Sequence, residues 1–201
     1  MIALLDYGAG NLTSVRKALA ALGAEFATPR APADLAAATG IIVPGVGHFG
    51  ATAAIDDEWR SAIRVALARD TALLGICLGM QWLYERSAEA PALFGLGIFK
   101  GCCEFFARGE AGGNLKVPHV GWNSLDRPRA TGLMTGVADR SQVYFTHSYF
   151  APVTADSAAI TTYGRPFAAA VERDRIAGVQ FHPEKSGDVG LDILRNWIRA
   201  L

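Results

Sequence analysis

The stretch "TALLGICLGMQWLYER", Thr71 to Arg86, decides the reading of the whole chain. "ALLGI" (72–76) has the length and composition of a buried strand, and the apolar pattern of "LGMQWLYERS" opens a helix. Between them stands Cys77, with Gly75 and Gly79 each two positions away. G-x-C-x-G between strand and helix has the form of a nucleophile elbow. Such a turn holds its central residue at positive φ and presents the side chain beyond the carboxyl end of the strand. Flanking glycines remove Cβ atoms that would clash where strand passes into helix. The start of a helix also favours a thiolate. Free cysteine is equally among the most buried residue types, so this stretch alone leaves two readings, nucleophile and core thiol.

The same rhythm extends outward. "IALLD" (2–6) and "GIIVPG" (40–45) are buried apolar runs. "NLTSVRKALAALG" places Leu12, Val15, Leu19 and Leu22 at helical spacing before Gly23. Residues 51–69 carry Ile55, Trp59, Ile63 and Ala66 on one helical face. Strand and helix alternating in this way predict an α/β fold, a mostly parallel central sheet covered by helices on both faces. After about residue 90 the texture changes. Residues 95–125 read as short strands and hairpins, and 142–150, 158–164, 167–173 and 176–181 read as strands. The tail from about 188 aligns Leu191, Leu194, Trp197, Ile198 and Leu201 as an amphipathic helix. No linker divides the chain, so residues 1–201 are expected to form one domain.

With 201 residues, 19 Lys plus Arg against 19 Asp plus Glu, and no basic run, the chain lacks the footprint of a nucleic-acid binder. Three cysteines, Cys77 and the adjacent Cys102 and Cys103, suit neither a disulfide framework nor a metal site. Cys102 and Cys103 read as structural, and a reducing cytoplasm fits best. "MIALLDYGAGN" has no basic n-region and meets Asp6 early, which excludes a signal peptide. The uncharged stretch Leu35–Ile55 is long enough to span a bilayer, but Pro44 and the glycines of "TGIIVPGVGHFG" make it a strand and loop, with no membrane role.

A nucleophile needs a base. Of four histidines, His182 in "GVQFHPEKSG" alone has an acid two residues away, Glu184. In an extended segment those side chains point to one side, so Glu184 accepts from one ring nitrogen while the other faces Cys77. Acyl transfer also needs oxyanion donors. The N–H of Leu78 is one candidate, and the glycine loop "PGVGHFG" (44–50) offers Val46 N–H as another, with Gly45 and Gly47 allowing close approach.

Together these pieces resemble the triad-type, class I glutamine amidotransferases. The resemblance covers nearly the whole chain. The ordered series "DYGAGN" (6–11), "PGVGHFG" (44–50), "GICLGMQ" (75–81), "PHVGWN" (118–123), "THSY" (146–149) and "GVQFHPEKS" (178–186) is similar to the glutaminase subunits of imidazole glycerol phosphate synthases. G-x-C-x-G and H-P-E mark only the superfamily; "PGVGHF", "HVGWN" and "HPEKS" together are far more specific.

The resemblance implies a three-layer fold with a small antiparallel elaboration, and a division of labour. Cys77 attacks the side-chain amide of L-glutamine, His182 moves the protons and Glu184 orients His182. Gln81 and Gly47 belong to the glutamine pocket, and backbone groups of His147, Ser148 and Tyr149 hold the amino-acid end. No metal or organic cofactor is implied. The ammonia passes to a cyclase subunit, a (β/α)₈ barrel, in a heterodimer. Asn11, Trp122 and Lys185 are expected near that interface; core packing for Trp122 and a solvated charge for Lys185 are the plainer readings. The two glycines of "PGVG" would permit a peptide flip around Val46, so the oxyanion loop can rest inactive. Other readings fit less. "GAGNLT" (8–13) is half a dinucleotide fingerprint, with Thr13 where a third glycine belongs. A thiol hydrolase of another family has no reason to carry the motif series. Glutaminases of anthranilate or pyridoxal phosphate synthesis share the chemistry with a different partner.

Overall fold

The computed structural model describes residues 1–106, 115–126 and 129–201. In chain order the elements are β1 (Ile2–Leu4), α1 (Leu12–Ala21), β2 (Phe26–Ala27), β3 (Gly40–Val43), α2 (Asp57–Leu67), β4 (Ala72–Ile76), α3 (Leu78–Leu83) and β5 (Tyr84–Ser87). There follow β6 (Phe99–Phe105), β7 (His119–Leu125), β8 (Ser141–His147), β9 (Tyr149–Phe150), β10 (Ser157–Tyr163), β11 (Arg165–Arg173), β12 (Ile176–Val179) and α4 (Gly187–Arg199). Short 3₁₀ turns span Pro32–Ala37, Phe49–Ala54 and Pro183–Lys185.

Seven strands form the central sheet in the order β10-β11-β12-β4-β3-β1-β2. The pairs from β12 to β2 are parallel, and β10 and β11 close one edge antiparallel. The apolar runs explain this arrangement. Successive side chains of a strand leave on opposite faces, and here both faces are covered. Ile2, Leu4, Ile42, Leu74 and Ile76 pack with Val15 and Leu19 of α1 and Leu194 and Trp197 of α4. Their neighbours Ala3, Ile41, Val43 and Leu73 pack on the other side with Ile63 of α2 and with Leu78 and Met80 of α3. The result is the three-layer α/β architecture expected from the sequence. Each Leu or Ile buried in it contributes about 2 kcal/mol.

Several local expectations need correction. The helix after Cys77 ends at Leu83, and residues 84–87 are a strand. The last carbonyls, Trp82, Leu83 and Tyr84, accept the N–H groups of Leu96, Ile98 and Gly97, so a returning loop replaces the next helical turn. The single helix read over 51–69 is a 3₁₀ turn followed by α2, because the Asp56 side chain accepts from Trp59 N–H and starts a new helix there. The hairpins read within 95–125 are not formed among the described residues. Instead β6 pairs with β5 and β9, and β7 pairs antiparallel with β8. Alternating burial names the face a strand hides, not its neighbour. Residues 107–114 of that stretch lie outside the described residues. Among the described residues, no helix is long and apolar enough to cross a membrane.

Candidate active site

Cys77 sits between β4 and α3 with φ +53°, the positive-φ turn that the sequence predicts. Holding a non-glycine residue there costs about 1–3 kcal/mol, which the surroundings must offset. Its N–H donates to Val179 O at 2.7 Å, tying the turn to β12. The flanking glycines are sterically required. A Cβ at Gly75 would stand 2.6 Å from Gly79 O, and one at Gly79 would overlap the Val43 carbonyl.

β12 carries the chain across the sheet to His182. The His182 N–H donates to Tyr144 O at 2.9 Å, and Ser186 locks the turn, its hydroxyl donating to His182 O at 2.6 Å and accepting from Tyr144 N–H at 2.9 Å. His182 Nδ1 and Glu184 Oε1 are 2.9 Å apart, with both side chains buried. The means differs from the sequence reading. Residues 183–185 form a 3₁₀ turn, not an extended run, and that turn brings the carboxylate back to the ring. A carboxylate accepts, so Nδ1 carries the proton and Nε2 is left toward Cys77. No hydrogen bond of ordinary geometry closes Nε2 to the sulfur, although the two groups act on each other electrostatically. Burial opposes charge on His182, but the Cys77 sulfur and the Glu184 carboxylate outweigh it and raise the ring above its ordinary value of 6.5, to about 10.

A cavity of about 290 Å³ opens over Cys77, lined among others by Gly47, Leu78, Gln81, Glu89, Thr146, His147, Ser148 and Tyr149. Gly47, Gln81, His147, Ser148 and Tyr149 thus share one cavity with the cysteine. Part of that wall is already engaged. The Ser148 carbonyl accepts Phe106 N–H at 3.0 Å, and the Tyr149 carbonyl accepts both Gln81 Nε2 and His147 Nδ1 at 2.8 Å. Gln81 Nε2 also donates to Gln180 Oε1 at 3.1 Å, and Gln180 Nε2 to Cys77 Sγ at 3.6 Å.

The two N–H groups that the sequence offers as oxyanion donors, those of Leu78 and Val46, do not point the same way. The N–H of Leu78 donates to Gly45 O at 3.3 Å. A trans peptide sends its C=O and N–H to opposite sides, so Val46 N–H faces away from Leu78. Gly47 follows with φ +104°. The Tyr7 hydroxyl donates to Pro44 O at 2.7 Å and lies against Gly45.

Asn11, Trp122 and Lys185 lie outside the cavity. Asn11 caps α1, accepting from Ser14 N–H and donating to Ser14 Oγ, and α1 packs against the turn that holds Lys185. Trp122 is 57% exposed on β7. It meets Tyr144 edge-on at 6.1 Å, and Lys185 Nζ lies 5.9 Å from the same ring.

Four residues around the cysteine escaped the sequence reading: Tyr7, Glu89, His119 and Gln180. Tyr7 and Gln180 stand inside quoted motifs, where their neighbours drew attention. His119 shares β7 with Trp122 and lies behind His147. Glu89 follows β5, where no spacing links it to Cys77. Its carboxylate accepts Phe49 N–H at 2.6 Å, at the foot of the glycine loop.

The model of the family "Glutamine amidotransferase class-I" matches residues 3–201. Imidazole glycerol phosphate synthase subunit HisH of Methanothermobacter thermautotrophicus is 40% identical, over 100% of this chain and 99% of that protein. HisH of Desulfovibrio desulfuricans is 45% identical, over 98% and 93%. Among solved structures, PurLQS from Thermotoga maritima aligns with a TM-score of 0.77 at 18% identity, over 99% of this chain and 97% of that one. A crystal structure of a glutamine amidotransferase aligns at 0.74, also 18% identical, over 100% and 99%. At such identity the structures speak for the fold, whereas the family model and the relatives near 40% reach further: this chain belongs to the class-I glutamine amidotransferases, in the HisH group of imidazole glycerol phosphate synthase subunits.

Proposed function

We propose that this chain, acting as one domain over residues 1–201, is the glutaminase subunit of an imidazole glycerol phosphate synthase. It hydrolyses glutamine to glutamate and ammonia and hands the ammonia to a cyclase subunit, which makes imidazole glycerol phosphate and the aminoimidazole carboxamide ribotide of histidine biosynthesis. The observation that carries the reading is Cys77 held at φ +53° beneath a cavity, with the buried His182–Glu184 pair beside it.

The chemistry follows from the atoms present. His182, its ring held above 6.5 by Cys77 and Glu184, keeps the proton drawn from Cys77, and the thiolate attacks the glutamine amide carbon. The tetrahedral intermediate collapses to a glutamyl thioester as His182 protonates the leaving amine, which departs as ammonia. His182 then draws a proton from water, and hydrolysis of the thioester frees glutamate and the thiol. Glu184 holds the tautomer and stabilises the imidazolium. Glu89 is the acid among the described residues that line the cavity, which suits it to the α-ammonium of glutamine. The Gly45–Leu78 hydrogen bond belongs to a resting state. Turning the Gly45–Val46 peptide over frees Leu78 N–H and brings Val46 N–H inward, which assembles the oxyanion site. Binding of ligand by the partner favours that turn.

Ammonia is mostly protonated in neutral water and then not nucleophilic, so it must pass on unhydrated. A (β/α)₈-barrel cyclase seated over the cavity mouth supplies the path, in a cytoplasmic heterodimer. The exposed Trp122, with Tyr144 and Lys185, suits that contact; Asn11 lies on the neighbouring helix start. The test is glutamate release by the chain alone, with the cyclase, and with the cyclase plus its nucleotide ligand. Release that rises with the liganded partner and disappears in Cys77→Ala supports the reading. Release that survives Cys77→Ala overturns it.

A further inference from the structure

Two groups at the Cys77 sulfur lie outside the triad: the Thr146 carbonyl, which accepts from the thiol at 3.9 Å, and the Gln180 amide, which alone of the two can donate. Gln180 is completely buried on the strand extension between β12 and His182. Its Nε2 lies 3.6 Å from Cys77 Sγ, an ordinary N–H···S separation, and its Oε1 accepts from Gln81 Nε2 at 3.1 Å. Amide orientation is decided by partners, and here the chain of partners ends on a group that cannot be reversed. Tyr149 offers a backbone carbonyl, which only accepts, so Gln81 must present its nitrogen at 2.8 Å. The second hydrogen of that nitrogen points at Gln180, which must answer with its oxygen. Gln180 therefore turns its own N–H toward the sulfur. Reversing either amide would set two donors or two acceptors against each other inside the core, at the cost of unmet buried polar groups.

We propose that Gln180 is a further catalytic residue: its amide, locked by Gln81 and the Tyr149 carbonyl, donates to the Cys77 sulfur and stabilises the thiolate. The device also links two functions. Tyr149 lies in the cavity wall, so the segment that meets substrate and the donor that meets the nucleophile belong to one hydrogen-bond chain. An N–H fixed before the proton leaves costs no reorganisation when charge develops on sulfur.

This inference rests on Cys77 being the nucleophile, and the experiment separates the two. The full chain is alkylated with iodoacetamide across pH 5 to 10, with modification at Cys77 followed by mass spectrometry, for wild type, Gln180→Met and Gln180→Glu. Met keeps the length and loses the donor. Glu keeps the acceptor that Gln81 needs and serves if Met does not fold. A donor to an ionised group is worth about one pH unit, so the alkylation midpoint should rise by about that much in Gln180→Met and further in Gln180→Glu. In parallel, kcat for glutamate release by the complex with the cyclase should fall about ten-fold with KM within about two-fold. Gln81→Met, which frees the Gln180 amide to turn, should raise the midpoint by a smaller amount. An unchanged midpoint in the folded variant overturns the proposal, as does a uniform slowing at every pH, which would mean altered packing alone. Glutamate release that persists in Cys77→Ala would instead overturn the underlying glutaminase reading.

Discussion

The Gly45 carbonyl and the Leu78 N–H are hydrogen-bonded at 3.3 Å. Under the proposed function, the N–H expected to stabilise an oxyanion is thereby committed to a loop carbonyl, and the loop expected to supply the second donor presents the other face of its peptide. The free subunit should therefore hydrolyse glutamine slowly. Gly45→Ala tests the loop directly. A Cβ there would overlap the Tyr7 hydroxyl and stand 2.8 Å from Leu78 Cβ. Partner-stimulated glutamate release should fall on the order of 100-fold, the scale of one lost oxyanion donor, while Cys77 alkylation stays near wild type.

Glu184 meets His182 through Oε1, and among the described residues no group donates to its Oε2. Cys77 is the larger influence raising His182 and Glu184 the second; Glu184→Gln removes the second and loosens the tautomer. We expect kcat to drop by about 10²–10⁴-fold with little change in KM. The sign with pH follows from a folded value near 10 against an ordinary 6.5. Stability from the protonated ring is complete below 6.5 and is lost as pH rises through about 10. Thermal unfolding from pH 7 to 10.5 should show this alkaline loss in wild type, and Glu184→Gln should start it at lower pH. Parallel curves would remove the carboxylate from this role.

Glu89 faces the cavity and accepts from Phe49 N–H. If it meets the glutamine α-ammonium, Glu89→Gln should raise KM for glutamine by about 10-fold or more, with a smaller effect on kcat, as loss of uniform binding requires. A KM within two-fold of wild type would place the ammonium elsewhere.

His119 and His147 form a buried pair, Nδ1 to Nε2 at 3.1 Å. Burial pushes them below 6.5, to about 4 and about 3. Both are neutral in the fold, His147 donating to Tyr149 O and His119 accepting from Asn123 at 3.3 Å. The unfolded chain binds the more protons below 6.5, so their contribution is present above that pH and is lost as pH falls toward 4. Urea unfolding at pH 7.5, 6, 5 and 4.5 should show stability falling through this window. In His119→Phe, which preserves stacking with Phe145 and Tyr163, the decline per pH unit should be smaller. An identical decline would assign the acid sensitivity to other groups.

Much of this was legible in one dimension. The apolar runs at 2–6, 40–45 and 72–76 had to be strands buried on both faces, because no alternation of polar residues gives them a wet side, and helical spacing placed α1, α2 and α4 around them. G-x-C-x-G described a turn so crowded that its glycines could be nothing larger, and H-P-E placed an acid within two residues of a histidine. Those are local facts, written within a few residues of chain. The partners of β6 and β7, the short α3 and the 3₁₀ turn at 183–185 were not local. The strand pairings and the end of α3 were settled by backbone partners a dozen or more residues away, and the turn at 183–185 is held in place from Tyr144. The same holds for Tyr7 and Gln180, which reach the site because parallel strands of the central sheet bring their carboxyl ends together, and for Glu89, which arrives from β5 of the three-stranded sheet. The sequence by itself determined the layers, the positive-φ turn at Cys77 and the pairing of His182 with Glu184. Only the tertiary structure decided which carbonyl occupies Leu78 and which way the Gln180 amide points, because hydrogen-bond orientation depends on the last acceptor in a chain of contacts that no linear spacing records.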